Sequence, residues 1–294
     1  MNKGDQVEIV AASKYLTEDD ISRPIELIES KGFSITLNKG IFLKKDVFAG
    51  SKKDRINNLQ QALNNPTTKA IFFARGGYGA IQIIDYIDFQ EFIKYPKWLI
   101  GFSDVTIFLV HLYVQYKIAS IHAPMLFNFQ FTSKKSLDSL FQTLNGRICN
   151  VQIPFHKLNK LGHSRGVLIG GNLSILCSLI GSKSFMENNQ DYILFIEDVE
   201  EYLYHLERMI YTLDRSGLLK NLKGLIIGQM TKMMDNKIAF GQASYNIIDN
   251  IVKKYNYPIC FNFPIGHSSI NYPVIVGAKV DLLVNQKYSK IHYR

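Results

Sequence analysis

Three residues far apart in the sequence carry the side chains of an acyl-transfer site: Ser103, Glu197 and His267. A serine hydroxyl becomes a nucleophile when a histidine takes its proton and a carboxylate orients that histidine. Their order along the chain, Ser, Glu, His, fits such a triad. Spacing alone does not prove one, because a triad is defined in space. The residue types predict attack on a carbonyl carbon.

Ser103 stands between a predicted strand and a predicted helix. The apolar run 98–100 is followed by Gly101, and apolar residues recur at helical spacing from Val105 onward. This is the setting of a nucleophile elbow, although Val105 stands where the hydrolase motif Gly-x-Ser-x-Gly has its second glycine. A second interpretation stays open for this stretch, since Ser103 or Asp104 could simply cap the helix, which is a far commoner role.

Glu197 directly follows an apolar run, 192–196, that predicts a buried strand. A carboxylate in that place is usually paired or functional, because burying it alone is costly. The next acidic residues have a structural explanation, since Asp198 and Glu201 fit the capping box of the following helix. Glu197 has no such explanation and is the candidate acid.

Two of the seven histidines have contexts that suit catalysis. His267 follows a proline and a glycine in a turn between strands, so it is expected to face a cleft rather than the core. His122 lies at the carboxyl end of another predicted strand and could line the same cleft. We therefore expect His267 to be the base, with His122 as its rival.

The glycine turn that follows the apolar run 70–74 reads Arg75-Gly76-Gly77-Tyr78-Gly79-Ala80. It resembles a dinucleotide fingerprint but lacks the Gly-x-Gly-x-x-Gly spacing, so NAD binding is disfavoured. Residues without side chains let backbone N–H groups approach a negative atom, as an oxyanion hole or a carboxylate cradle requires. A turn that merely needs positive φ is the plain alternative, and it is compatible with the functional one.

Strands and helices alternate through the first half of the chain, which predicts an α/β fold with a parallel sheet and a ligand at the carboxyl ends of its strands. A capping box of Ser51 and Asp54 should open one helix, and the glycine turn should lead into another over 81–87. Residues 147–165 lose this rhythm. We predict an N-terminal α/β domain over 1–146, a linker over 147–165 and a C-terminal domain over 166–294.

Length and composition fit a two-domain globular protein, with 294 residues of which 47% are hydrophobic. The net charge of +9 comes from scattered lysine pairs rather than one stripe, which disfavours nucleic acid and would still attract a small substrate with several carboxylates. No long apolar stretch or signal-peptide pattern occurs, so neither export nor membrane insertion is expected. Cys149, Cys177 and Cys260 lack metal-ligand spacing and predict reduced packing residues in a cytoplasm.

Six motifs, in this order, resemble the LD-carboxypeptidase family of serine peptidases, a group that includes murein tetrapeptide carboxypeptidases and microcin-immunity relatives. The resemblance covers nearly the whole chain. Its motifs are Ala74-Arg75-Gly76-Gly77-Tyr78-Gly79-Ala80, Gly101-Phe102-Ser103-Asp104, His122-Ala123-Pro124-Met125, Gly170-Gly171-Asn172-Leu173, Ile196-Glu197-Asp198-Val199-Glu200-Glu201 and Pro264-Ile265-Gly266-His267.

The resemblance implies roles for the residues in these motifs. Ser103 would be the nucleophile, His267 the general base and Glu197, rather than the nearby Glu200, the acid that orients it. Backbone N–H groups of Gly77 and Asp104 would face the oxyanion. The residues expected to bind substrate are Arg75, Gly76, His122 and Asn172. Arg75 is the candidate partner for a terminal carboxylate, with a structural role in the glycine turn as its alternative, and Asn172 also fits a helix cap.

The same resemblance implies an amidotransferase-like N-terminal domain, a mainly β C-terminal domain and an active site between them. The implied reaction removes D-alanine from muropeptide tetrapeptides in the cytoplasm during cell-wall recycling, without metal or cofactor, by a homodimer. Two alternatives remain. One is an immunity-type peptidase that cleaves a peptidyl or aminoacyl nucleotide, which an aromatic clamp at the cleft would favour. The other is a ligand-binding relative that has lost turnover.

Overall fold

A computed structural model describes residues 1–148, 150–187 and 190–294. Within these residues the chain forms two sheets with helices packed around them. The strands are β1 (Gln6–Val10), β2 (Ser34–Leu37), β3 (Thr68–Phe73), β4 (Trp98–Gly101), β5 (Ser120–His122), β6 (Gln152–Pro154), β7 (Gly162–Asn172), β8 (Tyr192–Val199), β9 (Gly224–Thr231), β10 (Ile259–Cys260), β11 (Val274–Val276), β12 (Lys279–Val284) and β13 (Tyr288–Tyr293).

The helices are distributed over both halves of the chain. They are α1 (Ser22–Ser30), α2 (Lys52–Asn64), α3 (Gln90–Lys94), α4 (Thr106–Tyr116), α5 (Lys134–Leu144), α6 (Leu173–Ser178), α7 (Leu203–Arg215) and α8 (Ser244–Val252). The predicted capping box of α2 is confirmed, because Ser51 Oγ accepts from the Asp54 N–H while the Asp54 carboxylate accepts from the Ser51 N–H.

The first sheet has the order β11-β5-β4-β3-β1-β2 in the described chain. Its five N-terminal strands run parallel, as predicted, and each continuous apolar run lies in the buried middle of the sheet. The sixth strand, β11, comes from the C-terminal half and pairs antiparallel with β5, so that Val274 lies opposite His122. The first sheet is thus completed by a segment about 150 residues further along the chain.

The second sheet has the order β10-β9-β8-β7-β12-β13-β6 among the described strands. Strands β7 to β10 run parallel, and the remaining pairs are antiparallel. The predicted fold class is confirmed: a parallel α/β sheet in the N-terminal half and a sheet-rich C-terminal half. No helix of the described chain is long and apolar enough to cross a membrane.

Part of the segment predicted as a linker belongs to the second sheet. Residues 147–165 contain β6 and the first residues of β7, which pair with β13 and β12. Their side chains alternate between exposed and half-buried, as expected near a sheet edge with one face in water. That alternation is polar enough to resemble a loop in the sequence. The segment contains strands, and the predicted domain boundaries stay a prediction. Cys149, predicted to be a packing residue, lies outside the described residues.

The predicted helix over 81–87 is also wrong. Two short 3₁₀ turns, Ala80–Gln82 and Ile84–Tyr86, take its place. The Ala80 N–H donates to the buried carboxylate of Asp104, and Arg55 binds the carbonyl of Gly79. These tertiary contacts fix a tight turn, so the local apolar spacing does not decide the conformation.

Helix α4 lies between the two sheets and joins their cores. Every residue from Thr106 to Tyr113 is buried, which is typical of a helix packed on all sides. A Cβ on Gly171 of β7 would lie 2.5 Å from the Thr106 side chain, so the second sheet approaches α4 at van der Waals distance. One apolar cluster therefore runs through both halves, while a smaller one lies on the opposite face of the first sheet. The start of α4 is thus buried at their junction.

Candidate active site

Ser103 lies at the turn that connects β4 to α4, as the sequence predicts. Its φ of 59° is left-handed, a conformation that costs a non-glycine residue roughly 1 to 2 kcal/mol. A Cβ on Gly101 would lie 2.8 Å from Cγ1 of Val105, so the strand and the helix start are too close for any other residue there. The geometry is that of a nucleophile elbow, with Val105 packed where the hydrolase motif has glycine.

Neither side chain suggested as a cap for α4 has that role. The N-cap position is Val105 and carries no side-chain cap. Asp104 is buried, and its Oδ2 accepts from Ser13 Oγ at 2.5 Å and from the Ala80 N–H at 2.9 Å. Burial raises the pKa of Asp104 although both of these hydrogen bonds lower it. The Ser103 hydroxyl has no hydrogen-bond partner within the described residues.

Glu197 and His267 are in direct contact. Glu197 lies in β8 with 0% of its side chain exposed, and its Oε2 accepts from Nδ1 of His267 at 2.7 Å. His267 stands on the loop between β10 and β11. Gly266 permits this contact, because its φ is 125° and a Cβ there would lie 2.8 Å from Glu197 Oε2. Glu197, not the exposed Glu200, makes the bond, which leaves Nε2 of His267 as the acceptor.

Each member of this pair shifts the pKa of the other. Burial alone would lower the pKa of His267, but the charge and hydrogen bond of Glu197 raise it above its ordinary value of 6.5. Burial would raise the pKa of Glu197, yet the charge of His267, together with the nearby His122, holds it well below its usual range. An ionised acid therefore steadies an imidazole that is basic enough to take a proton near neutral pH.

The loop of His267 approaches the Ser103 elbow through Phe102. The Phe102 ring, one residue before the serine, lies with its centroid 4.7 Å from that of the His267 ring. Ser103 and His267 are not hydrogen-bonded to each other in this structure. Catalytic contacts of this kind are commonly loose without substrate and tighten when it binds.

The glycine turn lies directly against the serine. A Cβ on Gly76 would lie 3.4 Å from Ser103 Oγ and 2.8 Å from Cε of Met125, so no side chain fits there. Gly77 has a φ of 120°, and its N–H donates to no protein group in the described chain. The residue next to the one that contacts Ser103 therefore has a backbone donor that is unpaired within the described residues, as an oxyanion hole requires.

Arg55 supports this turn and was not identified from the sequence. Its side chain is 1% exposed and donates to the carbonyls of Ala12 and Gly79, at 3.1 and 2.9 Å, and to Gln82 Oε1 at 2.6 Å. The available signal was helical spacing, because Arg55 shares the buried face of α2 with Leu59. A charged residue on an apolar face predicts a specific partner.

Arg75, the candidate for binding a terminal carboxylate, makes contacts within the protein. Its guanidinium donates to the carbonyl of Tyr15 at 3.2 Å and lies over the Phe127 ring at 4.1 Å. These contacts agree with the structural alternative for Arg75. Its role toward a substrate stays a prediction.

His122 does not reach the cleft, contrary to its predicted substrate-binding role. It is 0% exposed because β11 covers the edge of the sheet beside β5, and the rings of Phe102 and Phe195 pack edge-on against it. Its Nε2 instead lies 3.9 Å from Oε1 of Glu197. His122 thus places a second imidazole next to the Glu197 carboxylate, near the oxygen that His267 does not bind.

Asn172 and Asp198 form a buried pair next to Glu197. Asn172 caps α6 through its Oδ1, as predicted, and its Nδ2 donates to Asp198 Oδ1 at 2.8 Å. Both ends of the amide are used inside the protein, so the structure does not present Asn172 to a substrate. Burial, followed by the charge of Glu197, raises the pKa of Asp198 to about 7. The predicted capping box of Asp198 and Glu201 is wrong, because α7 begins only at Leu203.

A cavity of about 430 Å³ opens beside His267. Phe102 and the exposed Phe131 line it together with Lys232. The described residues contain no group of three His, Cys, Asp or Glu side chains arranged to hold a metal ion. Cys177 and Cys260 are unpaired, and burial raises the pKa of each thiol to about 12. They are inert packing residues, as predicted.

A strained hydroxyl at the start of a buried helix, beside a buried carboxylate and imidazole pair, is typical of hydrolases that use a serine nucleophile. Comparison with known proteins gives the particular family. Residues 7–123 match the family model of the LD-carboxypeptidase N-terminal domain, and residues 165–282 match that of the LD-carboxypeptidase C-terminal domain. The chain belongs to the LD-carboxypeptidase family, as its motifs implied.

Individual relatives agree with this assignment. The chain is 27% identical over 297 residues to the probable murein peptide carboxypeptidase of Bacillus subtilis (strain 168), covering 99% of this chain and 92% of the relative. The crystal structure of a muramoyltetrapeptide carboxypeptidase from Oxalobacter formigenes is 25% identical, with a TM-score of 0.87, and covers 97% of this chain and 98% of that one. The microcin C7 self immunity protein MccF shares the fold, with a TM-score of 0.87 at 20% identity and coverage of 100% and 97%. The family makes the protein a peptidase.

Proposed function

We propose that the protein is a serine carboxypeptidase that removes the C-terminal D-alanine from muropeptide tetrapeptides, cleaving the bond between an L-centre and the D-residue. The observation that carries the proposal is the 2.7 Å bond between Glu197 and His267 beside the elbow of Ser103. The names of the relatives from Bacillus subtilis and Oxalobacter formigenes support the murein substrate. The reaction would belong to cell-wall recycling in the cytoplasm, carried out by a homodimer.

The mechanism uses the site residues in turn. Ser103 Oγ attacks the carbonyl carbon next to the D-residue while Nε2 of His267 takes the hydroxyl proton. The negative oxygen that forms is stabilised by the N–H groups of Gly77 and Asp104. The carbon–nitrogen bond then breaks, and His267 returns its proton to the leaving amine. A water molecule then attacks the ester carbonyl while His267 takes one of its protons. As the bond from that carbon to Ser103 Oγ breaks, His267 returns the proton to the serine oxygen, which restores the hydroxyl and the neutral base.

The test is incubation with a muropeptide tetrapeptide, followed by mass spectrometry for the loss of one alanine. The wild-type protein should release alanine, and Ser103→Ala should abolish the release. His267→Ala should do the same. If His267→Ala leaves the rate unchanged while His122→Ala removes it, the assignment of the base is wrong.

A second candidate is cleavage of a peptidyl or aminoacyl nucleotide. One observation favours it: the cavity beside His267 carries an aromatic side chain, Phe131, that is 62% exposed and could stack on a base. MccF, which shares the fold, has been crystallised with aspartyl sulfamoyl adenosine. Offering the tetrapeptide and an aminoacyl nucleotide analogue in parallel separates the two functions by their turnover. Binding of either without turnover would identify a relative that has lost catalysis.

A further inference from the structure

We propose that the cavity beside His267 receives the leaving amino acid, and that Lys232 binds its terminal carboxylate. This inference rests on the proposed carboxypeptidase function and deepens it, because it assigns the selection of a free chain end to one residue. Its basis is that Lys232 and His267 line the same cavity.

The direction of proton transfer decides which side of the serine the leaving residue occupies. His267 must give its proton to the amine of that residue, so the amine lies against the imidazole. In an amino acid one carbon separates the amine from the carboxylate. The carboxylate therefore enters the space that His267 lines, and this space is the cavity of about 430 Å³.

Lys232 supplies the positive charge among the described residues that line this cavity. It directly follows β9, and Glu200 directly follows the neighbouring parallel strand β8. Both residues are left-handed, with φ of 49° and 59°, and the Glu200 N–H donates to the carbonyl of Thr231 at 2.9 Å. Non-glycine residues in this conformation concentrate at functional sites. The paired strand ends hold Lys232 in the lining of the cavity.

The present partner of Lys232 is easily exchanged. Its Nζ lies 3.5 Å from Oε1 of Glu200, and both side chains are mostly exposed. An ion pair in that position contributes little, so a substrate carboxylate can share or replace the contact. Without the lysine, Glu200 would repel the incoming carboxylate. The pair thus makes the subsite selective for a negative group only while Lys232 is present.

Two other cations near the serine are placed less well for this task. The Arg75 guanidinium is held by Tyr15 and by the Phe127 ring. The aliphatic stem of Lys14 packs over Gly77, on the oxyanion side of the serine. Neither lines the cavity beside His267. The leaving carboxylate is therefore assigned to Lys232.

The experiment compares two substrates that differ only at the chain end: the tetrapeptide with a free D-alanine carboxylate and the same peptide as its D-alanine amide. The wild-type protein should prefer the free acid in kcat/KM. Lys232→Met should lower this preference roughly five- to tenfold by slowing the acid substrate alone. Lys232→Arg should retain most of it. Lys287→Met removes another exposed lysine, on the turn between β12 and β13, and should change nothing.

The results separate this inference from the proposed function. If the wild-type protein releases alanine but Lys232→Met keeps the full preference, or slows both substrates equally, the assignment of Lys232 is wrong. If Arg75→Met removes the preference instead, the carboxylate is bound on the other side. A wild-type protein that cleaves neither peptide overturns the proposed function and this inference together.

Discussion

Nε2 of His122 lies 3.9 Å from Oε1 of Glu197, and both side chains are sealed from solvent. Within the described residues neither atom has a hydrogen-bond partner. A shift of about 1 Å would bring the two atoms into hydrogen-bond range. Glu197 therefore has an imidazole on each oxygen, with His267 toward the serine and His122 toward the core. We interpret His122 as a positioning residue for the acid.

Replacing His122 tests this interpretation. His122→Leu should lower kcat roughly tenfold with little change in KM, because Glu197 loses its inner neighbour while the substrate contacts remain. His122→Gln should recover most of the rate, since its Nε2 can occupy the place of the imidazole Nε2. Steady-state kinetics of the two variants give the answer. Equal loss in both would show that the residue acts only through packing.

The pH dependence of kcat/KM should report the pair of Glu197 and His267. His267 must be neutral to accept a proton, so the rate rises with pH through its pKa. Glu197 raises that pKa, which puts the wild-type acid limb above pH 6.5. In Glu197→Gln this charge is gone while burial still lowers the pKa, with only the smaller influences of Asp198 and Glu200 opposing it. The limb should move to lower pH.

Glu197→Gln should also reduce the maximal rate by roughly 10³-fold or more, because the imidazole is no longer held in the required tautomer. Rates measured from pH 5 to 9 with folded variants test both effects. Glu200→Gln is the matched control, since Glu200 does not touch His267 and its removal should shift the limb only slightly. An unchanged limb in Glu197→Gln would contradict the assigned acid.

Activity requires serine at position 103, whereas stability should favour glycine there, because the backbone is left-handed. Both Ser103→Ala and Ser103→Gly should be inactive. Ser103→Gly should nevertheless be more stable than Ser103→Ala by roughly 1 kcal/mol, because glycine adopts a φ of 59° without strain. Urea unfolding of the two variants measures the difference. Equal stability would mean that the left-handed turn stores no strain.

Arg55 should matter for folding rather than for substrate contact. Arg55→Met leaves the carbonyls of Ala12 and Gly79 without their donor, and we expect it to cost about 2 to 4 kcal/mol of unfolding free energy. Arg55→Lys should recover only part, since one ammonium cannot reach all three acceptors. Denaturant unfolding is the measurement. A loss below about 0.5 kcal/mol, the range of ordinary surface changes, would refute the role of Arg55 in holding the glycine turn.

Local patterns predicted the parts of the site that depend on neighbours in sequence. The apolar run before Ser103 and the helical spacing after it were enough to place the elbow. Glu197 was identified because a carboxylate at the end of a buried strand is costly unless it is paired or functional. The Ser51 and Asp54 box marked the start of α2 in the same way. In each case the sequence pattern that led to the prediction spans only a few residues.

The errors come from contacts between distant segments. His122 is at a strand end, and only the pairing of β11 with β5 shows that it is covered. The turn after Gly79 is not helical because Asp104 and Arg55 bind its backbone from elsewhere in the chain. Residues 147–165 resemble a loop partly because β6 is an edge strand, which needs little apolar content. No local pattern carries this information.

The loop that bears His267 begins in one sheet and ends in the other. Residues before it form β10 beside β9, and residues after it form β11 beside β5. The loop that carries the imidazole is therefore attached at one end to the second sheet and at the other end to the first. If the two sheets moved apart, the loop would be stretched and His267 would move away from Glu197. The contact between His267 and Glu197 therefore depends on how the two sheets are aligned.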